Sequence, residues 1–142
     1  MAECSGSKIL RVLFSYLNRS LGKRYGIELE FNNNIGSGLQ LIHPYAITVN
    51  PKSKIGNNVT LYKGVTIGSI RVGKRAGAPA IGNNVIICAN AFVCGGINIG
   101  NNVLIAANSY VNFDVPDNSI VIGNPGKVIP KNNIEEIIRM EK

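Results

Sequence analysis

The sequence has no tryptophan, a single histidine (His43), three cysteines and only eight acidic residues among 142. Each shortage excludes something. One imidazole per chain cannot furnish a zinc site built from several histidines. Cys4, Cys88 and Cys94 are odd in number and lack metal-ligand spacing, so no metal site is expected and a reduced, cytoplasmic setting is. No apolar run approaches the ~20 residues of a membrane-spanning helix, and Met1–Cys4 shows no signal-peptide pattern. Apolar residues make up 45% and charged ones 16%, too apolar for a disordered chain. The length fits one compact domain.

Acidic residues are also unevenly placed. From Phe31 to Phe113 there is no Asp or Glu, while Lys52, Lys54, Lys63, Arg71, Lys74 and Arg75 fall in that stretch. With a net charge of +7 the body of the chain suits an anionic ligand. No helix-turn-helix, RNP-type or arginine-rich helical pattern accompanies the charge, so nucleic acid is not expected and a phosphorylated small molecule is.

What is present is a repeat. Ile-Gly-Asn-Asn-Val occurs at Ile55–Val59, Ile81–Val85 and Ile99–Val103, with a looser copy at Ile35–Leu39. Aliphatic residues recur every six positions in the series Ile55, Leu61, Ile67 and again in Ile81, Ile87, Val93, Ile99, Ile105, Val111. Two residues before most of them stands a small or β-branched residue: Val59, Val65, Val85, Ala91, Ile97, Val103, Ser109. A period of six matches neither helix nor simple strand. It fits a triangular solenoid in which each hexad supplies a short strand and a corner, and 18 residues close one coil. The Gly and Asn pairs belong at corners that need positive φ.

The spacing also locates insertions. Ile81 to Ile99 is 18 residues, one uninterrupted coil; Ile55 to Ile81 is 26, eight too many; Ile35 to Ile55 is 20, two too many. The eight-residue excess is expected between Gly68 and Ala80 as a basic, Gly-rich loop on a rigid scaffold, a common place for function. Ser7–Leu21 reads as an amphipathic helix stopped by Gly22, suited to cover an edge and able to associate weakly with a membrane surface. Asn133–Met140 reads as a short C-terminal helix. The expected organisation is thus a helical segment over 1–25, a β-solenoid over 26–129 and a C-terminal helix over 130–142.

These hexads resemble the hexapeptide-repeat acyltransferases, which implies a mainly β fold, a left-handed parallel β-helix. Within that superfamily Leu41–Val49 (containing His43-Pro44), Val65–Gly68, and Val115–Ser119 leading into Gly123-Asn124-Pro125-Gly126-Lys127 are similar to the serine acetyltransferases and their short sugar-acetylating relatives. The resemblance implies acetyl transfer from acetyl-CoA to a hydroxyl, with His43 as general base; an imidazole near neutral pH suits that task. It places the orienting carboxylate, 15 residues earlier, on Glu28, with Glu30 as the alternative. It assigns the pantetheine arm to Gly68, Ser69, Ala89 and Ala107, with an oxyanion donor at the Gly68 or Ser69 amide. Lys127, or Lys74 and Arg75, would meet the CoA phosphates. It further implies a homotrimer whose grooves lie between subunits, with Phe92, Tyr110 and Phe113 on apolar walls.

Two departures bear on the acceptor. The serine enzymes carry an Asp directly before the histidine and an Arg-His pair in the long loop; here those positions are Ile42, Gly77 and Ala78. An apolar residue cannot hold an ammonium, nor Gly a carboxylate. The expected acceptor is therefore a sugar hydroxyl of a polysaccharide unit or nucleotide sugar, the alternatives being L-serine or an inactive trimeric scaffold.

Overall fold

The computed structural model describes Ser20 and residues 22–29, 34–131 and 133–140. Among the described residues thirteen short strands build three sheets. The first wall joins β1 (Gln40–Ile42), β4 (Thr60–Tyr62), β7 (Ile86–Ile87), β10 (Val103–Ile105) and β12 (Ser119–Ile122) in parallel, and β13 (Lys127–Pro130) closes it antiparallel. The second contains β2 (Thr48–Val49), β5 (Thr66–Gly68), β8 (Phe92–Cys94) and β11 (Tyr110–Val111). The third contains β3 (Lys54–Ile55), β6 (Ala80–Ile81) and β9 (Asn98–Ile99). Through β11, successive strands visit the three walls in turn, so each coil is a triangle. The triangular coils are those expected from the period of six, and the fold is the left-handed parallel β-helix that the resemblance implied.

The core follows the hexads. Leu61, Ile67, Ile87, Val93, Ile105 and Val111 have no exposed surface, and Val59, Val65, Val85, Ala91 and Val103 fill the corners between them, equally buried. Each wall strand points one aliphatic side chain inward, so the interior is a stack of branched residues in register, for example Leu61 over Leu41 and Ile87 over Leu61.

Gly-Asn-Asn divides its labour residue by residue. A Cβ on Gly82 would lie 2.6 Å from the Gly100 carbonyl oxygen, and one on Gly56 would lie 2.5 Å from that of Gly82, so only glycine lets these corners stack. The first Asn spans coils: the Asn83 amide donates to Asn101 Oδ1 at 2.8 Å, and the Asn57 amide to Asn83 Oδ1 at 2.8 Å. The second Asn takes left-handed φ, 55° at Asn58 and 54° at Asn84 and Asn102, and donates up the stack from Asn84 Nδ2 to Asn102 Oδ1 at 3.2 Å. Side-chain amides thus satisfy corner groups that a parallel ladder leaves open.

The expected N-terminal helix over Ser7–Leu21 lies outside the described residues except for Ser20, which is helical. Gly22 does not stop it: residues 22–25 are helical as well. The stop is Gly26, at φ 63°, where the Ile27 amide donates to the Gly22 carbonyl at 2.8 Å. That bond closes a Schellman motif, which needs glycine at the left-handed position. At the other end α1 (Ile134–Met140) presses Ile134 and Ile138 onto Ile86, Leu104 and Ile120, the outward side chains of the first wall. No helix among the described residues is long and apolar enough to cross a membrane.

Candidate active site

The three walls have different outer faces. The first is covered by α1. The third turns Lys54, Ala80 and Asn98 outward. The second presents the column Thr48, Thr66, Phe92, Tyr110, and it alone is flanked by both irregularities of the solenoid.

The first irregularity is the corner that carries His43. Ile42 is in register with Tyr62 and Thr48 with Thr66, so five residues turn this corner where one coil further on three suffice. The amide of Gly64 donates to the Tyr45 carbonyl, which leaves His43 and Pro44 as the surplus pair. This is where the two extra residues between Ile35 and Ile55 reside. The chain must bulge to hold them: His43 has φ 49°, Ala46 has φ 53°, and His43, Pro44 and Tyr45 are all exposed. The hexads held the signal, since Leu41 to Val49 is eight residues where Leu61 to Ile67 is six.

The second irregularity is the loop between β5 and β6. Gly68 pairs with Cys94 and Ala80 with Asn98, which confines the eight-residue excess to the expected segment. The loop is a small hairpin: the amide of each of Ile70 and Gly77 donates to the carbonyl of the other, at 2.9 and 2.8 Å. Gly77 has φ 132°, and a Cβ there would lie 3.0 Å from Gly96 Cα. The loop therefore rests on the solenoid through a position that cannot carry a side chain without displacement.

The remaining candidates fall along these two edges. Lys63, Ala89 and Ala107 continue the His43 corner upward, tied by the Asn90 amide to Lys63 O and the Asn108 amide to Ala89 O, both at 3.0 Å. Lys127 stands at the far end of this edge, opposite Ile122 and after the turn at 123–126. That turn contains a cis Asn124–Pro125 bond and seals β11 through Gly126 N to Tyr110 O at 3.0 Å. Gly68 and Ser69 lie on the other edge, where Asn50 Nδ2 donates to Ser69 Oγ at 3.0 Å. Lys74 is exposed near the loop's tip. Arg75 is engaged, its guanidinium 3.1 Å from Asp114 Oδ2.

Glu28 bridges to Thr48 in parallel, which puts it at the foot of the second wall's outward column, one coil below and around the corner from His43. It is exposed, and no hydrogen bond joins the two side chains. Glu30 lies outside the described residues. At the other end of the wall Asn90, Phe92, Asn108, Ser109, Tyr110 and Asn124 line a cavity of about 330 Å³ beside the His43 edge. Phe92 and Tyr110 stack there, ring centres 5.9 Å apart. Cys94 Sγ and Tyr110 Oη meet at 3.5 Å, and this hydrogen bond with Cys94 holds the phenol above its ordinary pKa. Asn90, Asn108 and Asn124 were not among the expected site residues; repeated Asn at corners reads as scaffold from spacing alone. No group of His, Cys, Asp and Glu among the described residues could hold a metal ion.

The two edges are a wall apart. Five residues at ~3.3 Å each span ~16 Å, too far for His43 and the loop of one chain to share a substrate's reacting atoms. The chain presents an exposed imidazole on one edge and a basic loop on the other, with an aromatic and threonine face between them.

No family model matches the chain. A serine acetyltransferase of Staphylococcus aureus is 41% identical over 111 residues, covering 77% of this chain and 51% of that protein. Among solved structures, Neisseria gonorrhoeae serine acetyltransferase in complex with serine superposes with a TM-score of 0.71 at 34% identity, covering 84% of this chain and 48% of the other. A serine acetyltransferase in complex with CoA does so with a TM-score of 0.71 at 30% identity, covering 83% and 48%. The chain spans about half the length of the relatives it matches.

Proposed function

From its membership of the hexapeptide-repeat acyltransferase superfamily, we propose that this chain transfers an acetyl group from acetyl-CoA to the hydroxyl of a small acceptor, with His43 as general base. The observation that carries the reading is the bulged corner, which lifts the only imidazole clear of the solenoid wall. His43 takes the hydroxyl proton as the oxygen attacks the thioester carbonyl. The resulting oxyanion collapses to expel the CoA thiolate, which the imidazolium protonates. Glu28, from the coil below, is the carboxylate available to steady that imidazolium, and doing so requires its side chain to turn toward the ring.

The relatives favour L-serine as the acceptor, and no observation supports a saccharide in its place. The expectation of polysaccharide chemistry therefore gives way to serine. Grip on serine would differ from that implied by the family resemblance, because Ile42 is apolar and Gly77 is reserved for the loop's contact with Gly96. Lys63, exposed one coil above His43, is a cation on that edge available to a carboxylate.

Assembly as a homotrimer belongs to the same proposal. It would bring the His43 edge of one chain against the loop edge of a neighbour and so close the ~16 Å separation. A cytoplasmic setting suits a chain with few cysteines, odd in number.

The test is CoA release by the purified chain with acetyl-CoA and a panel of L-serine, other hydroxy amino acids, monosaccharides and nucleotide sugars. Release that depends on L-serine supports the reading. A chain that shows no acetyl-CoA affinity by calorimetry and no release with any acceptor would be a scaffold instead.

A further inference from the structure

The loop over 69–79 is fastened more thoroughly than a hairpin of its size requires. It leaves the solenoid after Gly68 and seats on the next coil, where the Gly96 amide donates to Arg75 O at 2.8 Å. A Cβ on Gly96 would lie 2.6 Å from Ala76 O, and one on Gly95 would lie 3.0 Å from both Arg75 O and Ile70 Cδ1. Two adjacent glycines thus form a seat that the loop backbone fills.

The fastening then reaches a third coil. Asp114 precedes Val115, which bridges to Ile99, so it stands one coil beyond the glycine seat. Its two oxygens have separate duties: Oδ1 accepts the Asn98 amide at 2.8 Å, and Oδ2 takes the Arg75 guanidinium at 3.1 Å. Asp114 is the first carboxylate after the acid-free stretch from Phe31 to Phe113. Arg75, unlike the exposed Lys74, already has an anion.

We propose that Arg75 and Asp114 form a clasp holding the loop against the edge of the second wall, so that Arg75 is a positioning residue for the loop and not a ligand of the donor's phosphates. Only the kinetic consequence rests on the acetyl-transfer reading; the clasp itself does not.

Asp114→Asn separates the two duties, since the amide oxygen still accepts from Asn98 while the charge is gone. Trypsin cleavage after Arg71 and Lys74 in the native chain reads the loop directly. Asp114→Asn and Arg75→Gln are expected to be cut roughly two- to fivefold faster than the parent, the range open to a half-exposed ion pair, with Arg75→Lys close to the parent. Raised salt should speed cleavage of the parent and leave Asp114→Asn unmoved. In the acetyl-transfer assay both neutralising variants should raise KM for acetyl-CoA by a similar factor with kcat little changed. Equal cleavage of parent and Asp114→Asn overturns the clasp. A KM raised by Arg75→Gln but lowered by Asp114→Asn overturns it too, since freeing Arg75 would then help it bind phosphate. Should no acceptor support turnover, the cleavage experiment still decides the clasp while the acetyl-transfer reading fails.

Discussion

The Gly64 amide donates to the Tyr45 carbonyl at 2.9 Å, although the corner containing Tyr45 has two residues more than the corner containing Gly64. Register is regained at Tyr45, and the whole surplus is discharged at His43 and Pro44. A corner can take up the surplus because within a strand two extra residues would break the ladder's register with the coils above and below. His43 is exposed because that is where the backbone had room to leave the wall.

His43→Asn is expected to cost turnover by a factor of about 10²–10⁴, the usual share of a general base. Asn accepts the left-handed φ of 49° at this position, so thermal denaturation should match the parent. Near-normal CoA release by a folded His43→Asn chain would remove the base from the mechanism.

Glu28→Gln should lower kcat by about tenfold, in line with losing a charge-assisted hydrogen bond, and leave KM for acetyl-CoA in place. Glu28 is exposed and its backbone carries the bridge to Thr48, so the substitution leaves the fold alone. Steady-state kinetics with the acceptor saturating would check it; an unaltered kcat assigns the orienting role elsewhere.

Two glycines separate sterics from conformational strain. Gly82→Ala drives a methyl group to 2.6 Å from the Gly100 carbonyl oxygen, and overpacking against backbone should cost about 1–3 kcal/mol or more. Gly73→Ala meets nothing within 4 Å, so its cost is the φ of 92° alone, about 1–2 kcal/mol, in a loop that contributes little to the core. Urea denaturation should rank Gly82→Ala well below Gly73→Ala in stability; the reverse order would contradict the packed corner stack.

The carboxyl of Asp114 is held below the ordinary aspartate pKa of 3.8, chiefly by the Asn98 amide and then by Arg75. A carboxylate with a depressed pKa contributes above its unfolded value and loses that contribution as pH falls through the folded one. The clasp should therefore be unaffected by pH through the neutral range and weaken only in acid, below the ordinary aspartate range. Carboxyl NMR should show Asp114 titrating lower than an unstructured aspartate, and Arg75→Gln should move it back part of the way, since the Asn98 bond remains.

Much of the site was legible in order rather than in place. A period of six with inward Leu61, Ile67 and Ile87 implies three walls, because 18 residues per turn leave no other way to bury every sixth side chain. The excess between Gly68 and Ala80 follows from counting, and a lone histidine leaves one candidate base. Gly22 misled, since a glycine near a helix end carries no mark of whether the chain passes it in helical or left-handed conformation; the Ile27 amide decided for Gly26.

Sequence by itself therefore determined the prism, its long loop and the identity of its one imidazole, all of which are consequences of local period and composition. Tertiary structure alone decided that α1 covers the first wall, that the surplus pair emerges at His43, and that Arg75 is claimed by Asp114 from 39 positions away. Those outcomes depend on which coil lies over which, and contacts between stacked coils are set by register and side-chain reach across the stack, quantities that no window along the chain contains.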